Sequence, residues 1–217
     1  MGFPLVVALV VVLGIGLVFV ARNTRDPILA PRAGEDHWHA AYTVYNCGTE
    51  VADYQSVSDP DGIHSHQDGL IHIHPFNSSA SGEDAQLGVF LEAMGGTITQ
   101  DAISGPDFAD IEASAGCGGE PAVIKVARYQ VDPELELVAV YDRDFESVQF
   151  LEDREAFSIA MVSAGEDPPP PSASALAQLD TSTGSDLVST GTVPLDTGGD
   201  HSGTDTGGDE VDAEADE

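Results

Sequence analysis

Basic residues are scarce in this chain. Its 217 residues include 7 Lys and Arg against 38 Asp and Glu, a formal net charge of −31 with His neutral, and Lys125 is the single lysine. A surface of that sign repels nucleic acid and anionic lipid headgroups, which makes both poor partners, and it favours cations and basic proteins. The same composition also suits solubility in a saline habitat, with no specific partner required. Cysteine is nearly absent as well. Cys47 and Cys117 are the only two, an even number that fits one disulfide in an oxidising compartment. A Cys/His site using Cys47 is the lesser alternative. Several catalytic signatures are missing: the nucleophile elbow, the phosphate-binding loop and the dinucleotide fingerprint. The Cys, His and Met grouping of a blue-copper site is missing too, as is EF-hand spacing. The sequence therefore leaves open whether the protein is an enzyme.

Charge of either sign is absent from Phe3 to Ala21, which is rich in Val and Leu. Nineteen residues make a helix of roughly 28 Å, close to the ~30 Å hydrocarbon core of a bilayer. Residues 1–21 therefore read as a transmembrane helix. The run is longer than a signal-peptide core, and Phe19-Val20-Ala21 is a poor cleavage site, so a retained anchor is expected. Arg22, Arg25 and Arg32 follow the span, and the positive-inside rule taken literally would keep the C-terminal side cytoplasmic. Long domains cross largely regardless of such charges. With the cysteine pair, this favours an extracytoplasmic domain on a single-pass cell-membrane protein.

Residues 22–35 read as a linker. Residues 36–167 hold nearly all the aromatics and all the alternating patterns, and with residues 33–35 they carry 26 acids against four bases. From Pro168-Pro169-Pro170-Pro171 onward Ser, Thr, Gly and Asp dominate, so residues 168–217 read as a disordered acidic tail able to recruit a basic protein. The central region is α+β: a small mixed sheet with one main helix. Strands are expected at Trp38–Asn46, Ile63–His66, Leu70–Pro75, Val123–Tyr129, Leu135–Tyr141 and Phe157–Val162. Asp59-Pro60-Asp61-Gly62 is a turn. A helix is expected over 82–95, capped by Ser81 with Asp84 and closed by Gly95, with Leu87, Phe90, Leu91 and Met94 on its core face.

Six of the seven histidines form three His-x-His pairs: His37/His39, His64/His66 and His72/His74. In a strand, residues i and i+2 share a face, so each pair aims two imidazoles the same way. Imidazole is the commonest protein ligand for Zn²⁺ and Cu²⁺. If Gln67-Asp68-Gly69 is a three-residue loop with Gly69 left-handed, His64 lies opposite His72 and four imidazoles share one face. Ile63, Ser65, Ile71 and Ile73 then face the core. A one-residue slip would split the two pairs between faces. His37 and His39 join the group if their strand lies beside the hairpin. Asp36, Asp61 and Asp68 are candidate carboxylates for orienting the rings. The expected cofactor is a Zn or Cu ion. A His₃ metalloenzyme with an open coordination position, and a metal-free module whose histidines sense pH, are the alternatives.

Asp36-His-Trp-His-Ala-Ala-Tyr42, Gly62-Ile-His-Ser-His-Gln-Asp-Gly-Leu-Ile-His-Ile-His-Pro75 and Leu87-Gly-Val-Phe-Leu91 together resemble bacterial membrane-anchored proteins of unassigned function. That resemblance spans about 36–165 and implies membrane attachment but no catalytic roles. Leu151-Glu-Asp-Arg-Glu-Ala-Phe-Ser-Ile-Ala-Met161 is similar to the closing strand of β-grasp domains, which implies that fold.

Overall fold

The computed structural model describes residues 7, 10–16, 30–56 and 58–182. The domain is α+β, with a seven-stranded mixed main sheet and a separate three-stranded sheet among the described residues. Its ten strands are β1 (Trp38–Asn46), β2 (Thr49–Glu50), β3 (Ile63–His64), β4 (Leu70–Ile73), β5 (Thr97–Ile98), β6 (Ala102–Gly105), β7 (Phe108–Glu112), β8 (Ala122–Gln130), β9 (Glu136–Tyr141) and β10 (Glu155–Ser163). Within the domain two α-helices accompany them, α1 (Leu87–Met94) and α2 (Ala173–Ser182). The main sheet runs β3-β4-β1-β10-β8-β9, with β2 added to β1. Its two central strands, β1 and β10, pair in parallel, and their neighbours β4 and β8 pair antiparallel to them.

Side chains alternate across this sheet, so β1 divides its residues between two faces. Ala40, Tyr42 and Val44 point to the main core, where Ile63, Ile71, Ile73, Phe157 and Ile159 join them from the other strands. Helix α1 covers this face with Leu87, Phe90, Leu91 and Met94, the stripe expected from the sequence. It ends as expected at Gly95, whose φ of 64° is left-handed and whose N–H returns to Glu92. It begins later than expected, because Ser81 makes no side-chain cap and 82–84 form a separate 3₁₀ turn. The intervening chain is claimed by tertiary bonds: Leu87 N–H donates to the Val148 carbonyl and Phe150 N–H to that of Ala85.

The second face carries Ala41, Thr43 and Tyr45 on β1, with Ala127 and Tyr129 on β8 and Ala156, Ser158 and Ala160 on β10. The segment from Pro168 to Ser182 packs here, so the ordered domain extends past 167 and the boundary expected at 168 is corrected. Prolines leave their carbonyls free of any ladder, and hydroxyls on the sheet use them. Tyr129 donates to Pro168 O, Ser158 to Pro169 O and Tyr45 to Pro170 O, at 2.8, 2.6 and 2.9 Å. Helix α2 then buries Ala175 and Leu179 against Ala41, Leu70 and Ala156. Arg154 fixes its far end through the Leu179 carbonyl and Asp180. The rest of the expected tail, 183–217, lies outside the described residues.

The strands expected at 123–129, 135–141 and 157–162 are β8, β9 and β10 within a residue or two at each end. A three-stranded sheet, β5-β6-β7, matches none of the strands expected from the sequence. Gly96 and Gly105 let the Tyr54 ring lie flat against this small sheet, since a Cβ at either position would collide with the ring. A disulfide joins Cys47 and Cys117 with Cα atoms 5.5 Å apart, which removes the alternative of Cys47 as a metal ligand. Of the expected N-terminal span, residues 10–16 are helical, with Val10, Val11, Val12, Leu13 and Ile15 exposed. Most of the remainder lies outside the described residues, and no described helix is long and apolar enough to cross a membrane.

Candidate metal centre

The register of three strands brings the histidines together. β4 lies between β3 and β1, and His64, His72 and His39 are direct partners across the three strands. His37 immediately precedes β1, and its ring lies 5.0 Å from that of His74. Gly69 has φ 76°, the left-handed conformation that the three-residue loop requires. The hairpin is looser than expected at one point: Gln67 is also left-handed (φ 60°), and His66 bridges Gln55 instead of pairing with Leu70. The expected opposite face is correct. Ile63, Ser65, Ile71 and Ile73 are wholly buried, so the apolar pattern fixes which way the imidazoles point.

The six rings form one array. His37–His39, His39–His72, His72–His64, His64–His74 and His74–His37 close a circuit of five imidazoles with centroids 4.8 to 5.5 Å apart. His66 sits on this circuit, 4.7 Å from His64 and 4.9 Å from His72. His39 and His64 are buried, whereas His37 and His66 are exposed. Two three-residue groups have ligand atoms within 4.8 Å of one another: His37, His39 and His72; and Asp59, His64 and His74. Bonds of 2.0–2.1 Å in a tetrahedral site place nitrogens roughly 3.3 Å apart. Modest side-chain rotation would close either group on an ion.

Carboxylates lie against two of these rings. Asp68 Oδ2 lies 2.9 Å from His72 Nε2, as expected for a ring-positioning acid. Asp59 Oδ2 lies 3.0 Å from His64 Nδ1. Asp59 had been legible only as the first residue of a turn, and its Oδ1 does accept the Gly62 N–H. The clue to its second role is position, since that turn leads directly into the strand carrying His64. Asp153 is a further residue with no sequence signal: its Oδ1 accepts the His39 N–H from a loop 114 residues away. Asp36 and Asp61 do not act as expected. Asp36 pairs with Arg32, and Asp61 accepts from Asn77.

Burial pushes the His64 imidazole down to about 4, against the pull of Asp59 and helped by repulsion from the other rings. His74 is lowered by burial and by its neighbour His37. Burial raises the Asp68 carboxyl, but its hydrogen bonds to His72 and the Leu70 N–H outweigh that and hold it below its ordinary value. Two of the rings are thus held as free bases and one adjacent acid as an anion, the protonation states that metal coordination requires. Comparison with protein families, curated proteins and solved structures finds no match to this chain.

Proposed function

We propose that the protein is a single-pass, membrane-anchored protein whose extracytoplasmic domain binds a divalent transition metal, Cu²⁺ or Zn²⁺, on its histidine face. The observation that carries the reading is the alignment of all six imidazoles on one side of β3, β4 and β1. A chance distribution would scatter them between core and solvent. Hydrogen bonding among histidines alone would not require buried rings held neutral beside carboxylates. The uncharged run at 3–21 supports the anchor, and the disulfide supports an oxidising compartment. The central parallel pair formed by the first and last strands of the main sheet, with a hairpin partner outside the first, supports a β-grasp topology. The acidic C-terminal segment suits a basic protein partner.

A second reading has one observation in its favour. A cleft of about 350 Å³ bordered by Glu35, His37, His74 and Phe76 opens beside the array, as a His₃ metalloenzyme would need for a substrate. The test of the leading reading is calorimetric titration of the full chain in detergent with Cu²⁺ or Zn²⁺ at pH 7. Binding of at least one equivalent, abolished or weakened by at least tenfold in the variant carrying His64→Ala and His72→Ala, supports it. Absence of binding by the unmodified chain refutes it.

A further inference from the structure

We infer that the histidine face holds two divalent transition-metal ions side by side, one over each seam between strands. This rests on the metal-binding reading above. The first ion would sit over the β1–β4 seam. It draws on His37 and His39 from the entry to β1 and on His72 from β4. The second would sit over the β4–β3 seam, where Asp59 and His64 from the β3 side meet His74 from the end of β4. The two ligand groups share no residue, and each is compact on its own.

Strand geometry separates the groups. β1 and β3 lie on opposite sides of β4, so His39 and His64 are anchored on backbones roughly 9–10 Å apart. One ion bonded at ~2.0–2.1 Å to nitrogen draws most readily on adjacent strands. The circuit of rings joins the groups at two points, His37–His74 and His72–His64, so two ions would lie close enough to sense one another. Each group also has a neighbour outside its ligand set. His66 Nε2 lies 3.0 Å from His64 Nε2, the nitrogen of that ring turned away from Asp59, and so borders the second seam. Asp68 holds His72 on the first. Two dications repel, but Asp59 and Asp68 lie against rings of the array, on a chain of net charge −31. The donor sets differ, three imidazoles against two imidazoles and a carboxylate, so the two ions should bind with distinct affinities.

The experiment loads the full-length chain in detergent with excess Cu²⁺, removes loose metal on a desalting column and counts copper per chain by mass spectrometry. Electron paramagnetic resonance is recorded on the same sample. Two equivalents, with dipolar broadening and a half-field line from neighbouring Cu²⁺ ions, are expected. His39→Ala and His64→Ala should each retain one equivalent with an uncoupled spectrum, and the double variant none. One equivalent in the unmodified chain, with the uncoupled spectrum, overturns the two-ion inference and leaves metal binding standing. Two equivalents persisting in the double variant also overturn it, because copper is then held elsewhere. No retained copper at all overturns both. The unmodified chain decides the question even if a variant fails to fold.

Discussion

Glu155 opens the central strand β10 directly after Asp153 and Arg154, whose Oδ1 and N–H bond the His39 backbone. It is only 6% exposed, and burial raises its carboxyl from 4.5 to about 7, opposed by the Leu151 N–H and by Arg128 at 3.7 Å. Because the folded state holds this proton more tightly than the unfolded chain does, its contribution to stability is fully present below pH 4.5. It is lost as pH rises through 7. At 1.36 kcal/mol per pKa unit, the loss between pH 5 and pH 8 is roughly 2–3 kcal/mol. Glu155→Gln keeps the side-chain shape and an acceptor for Leu151 while removing the charge. Urea denaturation at a series of pH values should show the variant more stable than the unmodified protein at pH 8, with the two converging near pH 5. Repulsion within so acidic a chain also grows with pH, but equally in both proteins, so the difference isolates Glu155. Parallel stability profiles would refute the reasoning.

Three further outcomes follow from the structure. Replacing Cys47 and Cys117 by Ser opens a loop of 70 residues and should cost about 4 kcal/mol in the chain-entropy treatment, read as a lower denaturation midpoint; an unchanged midpoint would contradict the disulfide. Gly62 has φ 84°, and a Cβ there would collide with the His74 carbonyl. Gly62→Ala should therefore cost on the order of 1–3 kcal/mol and weaken metal affinity in the same calorimetric titration, whereas unchanged affinity would separate the hairpin from the site. Leu179 is wholly buried, so Leu179→Ala should cost roughly 2–5 kcal/mol in thermal unfolding. A negligible cost would mean that α2 contributes nothing to the fold.

Much of the site was legible because turn chemistry and apolar alternation agree. Asp68-Gly69 set the hairpin, Ile63, Ile71 and Ile73 set its core side, and the face of four histidines follows from those two facts. The position of His37 and His39 was not legible, since it depends on β1 lying beside β4, a pairing that no local pattern encodes. The same limit hid Asp153, which reaches His39 only because β10 lies parallel to β1 at the sheet centre. Residues 168–182 were misread for a different reason. Their composition resembles a solvated linker, but tyrosine and serine hydroxyls on the sheet use the proline carbonyls, and two apolar residues of α2 complete a small second core. Short strands such as β5 and β6, only two and four residues long, carry too little periodicity to read.

Metal binding on the histidine face is the core of the proposed function. Its most direct test is elemental analysis of the full-length protein purified from its native cells without chelators, alongside the variant carrying His64→Ala and His72→Ala. At least one equivalent of copper or zinc is expected in the unmodified protein, with a clear reduction in the variant. Only trace metal in both, together with no uptake on addition of either ion, would contradict it.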